Sequence, residues 1–159
     1  MNALLVLLEA DARATPEVLA KQLDSTPAEV IGRIKELEAQ KVILGYRAII
    51  DDDKAGRETV RAVIEVKITP EREGGFDRIA TRIASYPEVD SCFLMSGGYD
   101  LLVHLHGRTM REVATFVSEK LATVHGVLST ATHFMLKPYK DQGVLLTGEH
   151  VLERLSITP

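Results

Sequence analysis

The sequence predicts an α+β protein in two parts, a helical domain followed by a domain of strands and helices. Residues 1–40 carry apolar side chains at helical spacing, whereas residues 61–68 alternate between apolar and polar with the period of a strand. Beyond residue 61 a strand–helix–strand pattern occurs twice in succession, with Ile64 and Leu102 in corresponding positions. The predicted order is therefore a set of helices and then β-α-β-β-α-β.

The N-terminal helices are predicted at residues 2–12, 16–23 and 27–40. Thr-Pro pairs at 15–16 and 26–27 mark two of the starts, because threonine caps free N–H groups and proline suits the first helical position. Glu29 stands three residues after Thr26, which is the spacing of a capping box. The side chains expected in the core are Leu4, Leu5, Leu7 and Leu8, then Val18, Leu19 and Leu23, then Val30, Ile34 and Leu37.

The second and third helices form a predicted helix-turn-helix, because only Asp24, Ser25 and Thr26 separate them. This arrangement is typical of domains in which the second helix of the pair enters the major groove of DNA. A short strand is expected at residues 45–50. The helix-turn-helix domain, winged-helix-like in outline, is expected to cover residues 1–52, with a linker at 53–60.

Residues 61–141 are predicted to form a ferredoxin-like βαββαβ sandwich. Right-handed crossovers place both helices on one side of the sheet. The other side still carries apolar residues such as Val63, so a second sheet is expected to cover it in at least a dimer. Strands are expected at 61–68, 89–95, 99–106 and 127–136, and helices at 76–85 and 110–125, the latter with Val113, Phe116, Val117 and Leu121 inward.

Residues 142–159 are predicted to be a C-terminal arm or short helix that docks on a neighbouring subunit. Val144, Leu145, Val151 and Leu152 give this segment its apolar character. Disorder is the alternative, because chain ends are often loosely held.

Composition favours a packed cytoplasmic protein, and no cofactor is expected. Apolar residues make up 45% of the chain and the net charge is −4. The single cysteine, Cys92, excludes an internal disulfide and is expected to be a buried, inert thiol. Residues 1–8 resemble a short signal sequence, but they lack a basic segment and Glu9 follows directly, so a first helix is expected instead. No span of transmembrane length is present, and no membrane partner is expected.

Short motifs in a fixed order resemble those of the Lrp/AsnC family of transcription regulators. They are RIKELE at 33–38, VILGY at 42–46, AIID at 48–51, SGGYDLL at 96–102, and GV with TAT at 126–132. Each motif is short, but their joint order over residues 3–140 is specific. The resemblance implies a DNA-binding helix-turn-helix and a C-terminal domain that binds an effector and oligomerises. It also implies dimers that assemble further, commonly into octamers, with a small effector, expected to be an amino acid, between subunits.

The residues expected to contact operator DNA lie on the helix-turn-helix. Early residues of the second helix approach base edges, and cationic residues approach phosphates. The expected set is Thr26, Ala28, Glu29, Arg33, Lys35, Lys21 and Lys41. Residues 1–50 hold six positive and seven negative side chains, a net −1. It therefore stays open that Arg33 and Lys35 form a solvated face paired with Glu29 or Glu36, in a ligand-binding oligomer that has lost DNA binding.

The effector is expected near the glycine-rich turn before the third sheet strand. Glycine lets a ligand approach the backbone closely, and exposed N–H groups suit a carboxylate. The expected set is Gly97, Gly98, Tyr99, Asp100, Thr130 and Thr132, with Asp100 accepting from an α-ammonium and the threonine hydroxyls holding the polar end. A plain β-turn that needs its glycines for positive φ is the alternative.

Two histidines raise the alternative of metal binding or catalysis. His104 and His106 are two residues apart on a predicted strand and therefore share a face, but a third metal ligand is not evident. No metal site is therefore predicted. Siroheme decarboxylases share the two-part fold without a family-specific match here. The sequence contains no glycine-rich nucleotide loop, nucleophile elbow or paired-cysteine motif, so no enzymatic activity is expected.

Overall fold

The protein was analysed as a computed structural model that describes residues 2–69 and 75–146. The chain divides into two compact units, Met1–Ala48 and Ile49–Pro159, and each is described by itself. Within the described residues we find no helix with the length and apolar content needed to cross a membrane.

The described part of the first unit contains three helices, as predicted. They are α1 (Ala3–Ala10), α2 (Pro16–Gln22) and α3 (Pro27–Ala39). A side-chain oxygen caps each start: Asn2 accepts from the N–H of Leu4 at 3.1 Å, Thr15 from Val18 and Thr26 from Glu29. These caps satisfy N–H groups that have no partner inside the helix, and the helices therefore begin where the local sequence predicts.

The helices of the first unit pack around a small apolar core. Leu4, Leu8, Leu19, Ala20 and Val30 are buried, and Leu7, Ala14, Leu23, Ile34, Leu37 and Ile43 pack against them. The prediction that Val18 points inward is wrong, since 47% of it is exposed. Successive residues lie about 100° apart around a helix, and the inward positions of the short α2 are taken by Leu19, Ala20 and Leu23.

The strand predicted at residues 45–50 does not form in the structure. This segment has no regular secondary structure and its residues are exposed. A strand needs a neighbour to satisfy its backbone groups, and none of the described strands pairs with this segment. The apolar residues in and before this segment were therefore not sufficient evidence for a strand.

The second unit contains an antiparallel sheet of four described strands in the order β2-β3-β1-β4. The strands are β1 (Val60–Ile68), β2 (Val89–Leu94), β3 (Leu101–Gly107) and β4 (Val127–Phe134), and the helices are α4 (Asp77–Ala84) and α5 (Met110–Phe116). This is the predicted ferredoxin-like βαββαβ arrangement.

One face of this sheet packs against the helices and forms the main core. The buried strand residues are Ala62, Ile64, Val66 and Ile68 of β1 and Leu101, Val103 and Leu105 of β3. They meet Ile79 and Ile83 of α4 and Val113 and Phe116 of α5. The alternation in residues 61–68 therefore predicted the buried face of β1 correctly.

The helix predicted at 110–125 changes character halfway. After α5 the chain makes a π-helical turn at Val117–Leu121, in which the N–H of Ala122 donates to the carbonyl of Val117 at 2.8 Å. The wider turn brings residues five apart onto one face. Val113, Phe116, Val117 and Leu121 are all buried, so the predicted inward set is confirmed although the helix type is not.

The opposite face of the sheet is open and mixed in character. Strand register sets Val63 beside His104 and His133, and Glu65 beside Leu102 and Ala131. Phe93 lies next to Leu102 and is 51% exposed. Apolar side chains therefore do lie on this face, whereas the covering second sheet stays a prediction.

The predicted C-terminal arm is described only in part. Lys140–Asp141 (β5) and Val144–Leu145 (β6) pair as a small antiparallel hairpin. Residues 147–159 of the arm lie outside the described residues.

Cys92 of β2 is half-buried, and burial raises the pKa of its thiol, as expected for an inert cysteine.

Candidate functional site

The start of α3 is held by a complete capping box. The Thr26 hydroxyl accepts from the N–H of Glu29 at 3.3 Å, and the Glu29 carboxylate accepts from the N–H of Thr26 at 3.0 Å and from the Ser25 hydroxyl at 2.6 Å. The Ser25 hydrogen bond, with those from Thr26, lowers the pKa of Glu29 to about 2. Two of the three side chains predicted to meet base edges, Thr26 and Glu29, are thus engaged within the cap.

The turn before α3 depends on one residue in the left-handed conformation. Asp24 has φ +49°, and beyond it the N–H of Ser25 donates to the carbonyl of Ala20 at 3.0 Å. The same closure ends α3, where Lys41 has φ +58° and the N–H of Val42 donates to the carbonyl of Leu37 at 2.9 Å. These are Schellman closures without the usual glycine; the first ends α2 and the second ends α3, the predicted reading helix.

The two cations of α3 are exposed and lie on different sides of it. Helical geometry places Lys35 on the face opposite the buried Val30, and Arg33 on a flank near Glu29. Neither Arg33 nor Lys35 makes an ion pair within the described part of the chain. The alternative in which Arg33 pairs with Glu29 or Glu36 thus finds no ion pair there, although the charge of Arg33 contributes to the lowered pKa of Glu29.

The outermost face of α3 combines the small residues Ala28 and Gly32 with Lys35, an arrangement that sequence reasoning missed. Ala28, Gly32 and Lys35 share this face at spacings of four and three residues. A Cβ added at Gly32 would meet nothing within 4 Å. The helical spacing of Ala28, Gly32 and Ala39 in the sequence could have revealed a flat surface that another molecule can approach closely.

Of the other two predicted DNA contacts, one lies within the helix-turn-helix and the other just after it. Lys21 lies in the last turn of α2, and Lys41 follows α3; both are exposed. The structure therefore places exposed cations on both helices of the motif and just beyond it.

The glycine-rich turn links β2 to β3 and is anchored by Asp100. Asp100 accepts from the N–H of Ile68 through its carboxylate at 2.8 Å, and its own N–H donates to the carbonyl of Val66 at 3.0 Å. Gly97 has φ +141°, and a Cβ at Gly98 would meet nothing within 4 Å. The turn backbone is therefore open to an approaching molecule, while the predicted ammonium acceptor already holds a structural hydrogen bond.

The predicted threonines lie on the far side of β1 from this turn. Register sets Thr130 opposite Val66 and Thr132 opposite Ile64, so both are on the helix-facing side of the edge strand β4. Thr130 is half-buried and Thr132 is exposed. Because β1 lies between β3 and β4, the threonines and the turn are about two strand spacings apart, roughly 10 Å. A single chain does not bring the whole predicted set together.

The histidines of the open sheet face have separate partners. His104 packs edge-to-face against Phe93 with ring centroids 6.0 Å apart, and His106 Nδ1 lies 2.9 Å from an oxygen of Asp90. Among residues 2–69 and 75–146 no three His, Cys, Asp or Glu side chains are grouped as a metal ion requires.

A helix-turn-helix with exposed cations, followed by a ferredoxin-like domain, defines the class of helix-turn-helix transcription regulators with a separate ligand-binding domain. The family model described as Lrp/AsnC ligand binding domain matches residues 61–145. An uncharacterized HTH-type transcriptional regulator of Bacillus subtilis, YugG, is 46% identical over 158 residues, which cover 98% of this chain and 95% of that protein. The chain belongs to the Lrp/AsnC family and is an HTH-type transcription regulator.

Two further comparisons agree with this assignment. The proline dehydrogenase transcriptional activator of Rhizobium radiobacter is 28% identical, over 89% of this chain and 90% of that protein. A transcriptional regulator of Neisseria meningitidis, solved in complex with L-Met, superimposes with a TM-score of 0.69 at 27% identity, covering 87% of this chain and 88% of that one. The predicted family and fold class are therefore confirmed.

Proposed function

We propose that this regulator binds operator DNA through α3 and responds to an amino acid bound between subunits of a homo-oligomer. The observation that carries the DNA half is the exposure of Arg33 and Lys35, which have no ion-pair partner within the described residues. Such cations retain their full charge for phosphate, and the arginine fork also suits guanine. Because operator DNA is its target, the protein acts in the cytoplasm.

In this proposal the seven predicted residues divide into three roles. Thr26 and Glu29 act indirectly, because their capping box fixes where α3 begins. Ala28 lies on the flat face, where a base edge can approach. The cations that contact phosphates or bases are Arg33, Lys35, Lys21 and Lys41.

Operator binding is tested with a fragment from upstream of the protein's own gene. Arg33 and Lys35 alone, from both subunits of a dimer, give four phosphate contacts, and with Lys21 and Lys41 in addition we expect affinity to fall at least about 150-fold between 50 and 200 mM salt. Fluorescence anisotropy titrations at several salt concentrations measure this slope. If the folded protein fails to bind this fragment and random genomic fragments at 50 mM salt, the second candidate applies: a ligand-binding oligomer without DNA function, which the net charge of −1 in residues 1–50 favours.

Assembly is proposed through the open face of the sheet. Val63, Leu102 and Phe93 lie on that face, and apolar side chains exposed together favour contact with another protein surface. The occupant is the same face of a second copy, which gives a two-fold dimer, and dimers assemble further into a ring such as an octamer.

The effector is proposed to be an amino acid at the glycine-rich turn. Support comes from the Neisseria relative, whose structure holds L-Met, and from the open backbone at Gly97 and Gly98. Backbone N–H groups of Gly98 and Tyr99 suit the ligand carboxylate, and Asp100 its ammonium group. Because Thr130 and Thr132 lie across β1, we place their hydroxyls in a contact with a ligand shared between subunits.

Effector binding is tested by calorimetry with each of the twenty amino acids. We expect at least one of them to bind, and Asp100→Asn to weaken that binding at least about tenfold, since a charged hydrogen bond contributes roughly 1.5–3 kcal/mol. The asparagine keeps an oxygen for the N–H of Ile68, so the turn stays in place. Asp53→Asn, at an exposed carboxylate away from the turn, is the control. No heat from any of the twenty would remove the amino-acid proposal.

A further inference from the structure

One arginine, Arg61, holds the segment that follows the helix-turn-helix unit against the sheet. We call its paired contacts with Asp52 and Asp141 the clamp. Arg61 of β1 contacts Asp52 through Nη2 at 2.7 Å and Asp141 of β5 through Nη1 at 3.1 Å. The three side chains are each about one-third exposed or less. A single guanidinium thus ties residue 52 and the C-terminal hairpin to the same strand of the sheet.

The clamped segment is itself folded. The N–H of Ala55 donates to the carbonyl of Asp51 at 2.9 Å, and the N–H of Arg57 to that of Asp52 at 2.9 Å. Arg57 also lies 3.9 Å from the Asp52 carboxylate. Residues 51–57 therefore form a hydrogen-bonded loop attached to the sheet, and this loop includes part of the linker that the sequence predicts at residues 53–60.

Along the chain, the hydrogen-bonded and packed part of the first unit ends only a few residues before the clamp. Ile43 packs against its core, and the Tyr46 hydroxyl donates to Glu38 at 3.1 Å. Only residues 47–50 lie between that contact and the clamped loop. Five backbone steps span at most roughly 17 Å, whereas the fourteen steps from Tyr46 to Val60 would span at most roughly 48 Å if the loop were released.

We propose that Arg61 is a positioning residue that sets how far each DNA-binding unit can reach, and thereby sets the half-site spacing that the dimer accepts. The inference rests on the proposed operator binding. With the clamp closed, the connecting chain is short and two DNA-binding units are restricted to a narrow range of separations. With the clamp open, the same units are tethered by long chains. The effective concentration of the second unit at its half-site then depends only weakly on the distance between the half-sites.

The clamp is tested first by hydrogen exchange on the full-length protein, because this measurement does not require DNA. We expect the amides of Ala55 and Arg57 to be protected in the wild type and to exchange at least tenfold faster in Arg61→Gln. Arg61→Lys keeps the charge but lacks the fork that reaches two carboxylates, so it restores part of the protection. Arg108→Gln removes an 88% exposed cation that pairs with Glu112 and leaves these amides unchanged.

The role in spacing is tested with operator fragments whose half-sites are moved apart by five base pairs, about half a helical turn. We expect the insertion to weaken wild-type binding at least tenfold more than it weakens Arg61→Gln, with Arg61→Lys in between. A merely structural role would lower affinity for every spacing equally.

Three outcomes overturn the proposal. Rapid exchange of the Ala55 and Arg57 amides in the wild type would show that the loop is not clamped. Unchanged protection in Arg61→Gln would show that another contact holds it. Loss of protection with an unchanged spacing profile would show that the clamp does not set spacing. By contrast, a protein that exchanges as expected but binds no fragment contradicts the proposed operator binding and, with it, any role in spacing.

Discussion

The double variant Arg33→Ala, Lys35→Ala is expected to bind operator DNA at least about a hundredfold more weakly than the wild type at 100 mM salt. Each side chain is exposed on α3, and a dimer loses four charges that face the DNA in the proposed complex. A hundredfold change is about 2.7 kcal/mol, well below the sum that four charged hydrogen bonds can supply. The plot of log affinity against log salt is expected to become less steep, by about 3.6 in the magnitude of its negative slope.

The salt slope separates loss of phosphate contacts from damage to the fold. A misfolded first unit would abolish binding at all salt concentrations, and far-UV circular dichroism would detect it. Glu36→Ala provides a control of opposite sign on the same helix, because removing an exposed carboxylate near the DNA should raise affinity several-fold. If the double variant keeps the wild-type slope, α3 is not the surface that meets phosphates.

The helix-turn-helix was predictable because its signals are local. A capping threonine, a proline at the first helical position and a glutamate three residues on specify the start of α3 within a few residues of sequence. Local spacing predicts the capping box, but it does not reveal the additional hydrogen bond from the Ser25 hydroxyl to Glu29. Its carboxylate is occupied by Ser25 and Thr26, so a residue that stands where base edges are met serves the cap instead.

The wrong predictions for Val18 and for residues 45–50 have one cause. A pattern of apolar residues does not show whether another helix or strand lies against them. Val18 is apolar but lies outside the narrow buried face of a seven-residue helix. Residues 45–50 contain and follow apolar residues, yet no described strand lies beside them. Strand formation depends on pairing, and pairing is a tertiary property.

The second unit was predictable where periodicity and topology agree, and not where side chains far apart in sequence meet. The buried face of β1 follows directly from alternation. The bond between Asp100 and the N–H of Ile68 joins residues 32 apart, and the pair of Arg61 with Asp141 joins residues 80 apart. Neither has a signal in local spacing, so the anchored turn and the clamped loop emerged only from the structure.

Leu121→Ala is expected to destabilise the second unit by about 2–5 kcal/mol, the range for deleting a fully buried leucine side chain. Leu121 is 0% exposed and ends the π-helical turn, where it packs with Val117 and the sheet. The loss combines reduced apolar burial with a cavity that the surrounding core fills only in part. Urea unfolding at one fixed protein concentration measures the change, because oligomerisation makes apparent stability depend on concentration.

Leu128→Ala is the matched control, since it makes the same chemical change at a side chain that is 68% exposed on β4. We expect its effect on the monomeric unit to stay within about 0.5 kcal/mol. Hydrogen exchange of the amides in β3 assigns the effect of Leu121→Ala to the second unit, because those amides open only when this sheet unfolds. Equal destabilisation by the two variants would mean that the buried Leu121 side chain contributes no more to stability than an exposed one. The sheet, rather than the helical layer, would then determine the stability of this unit.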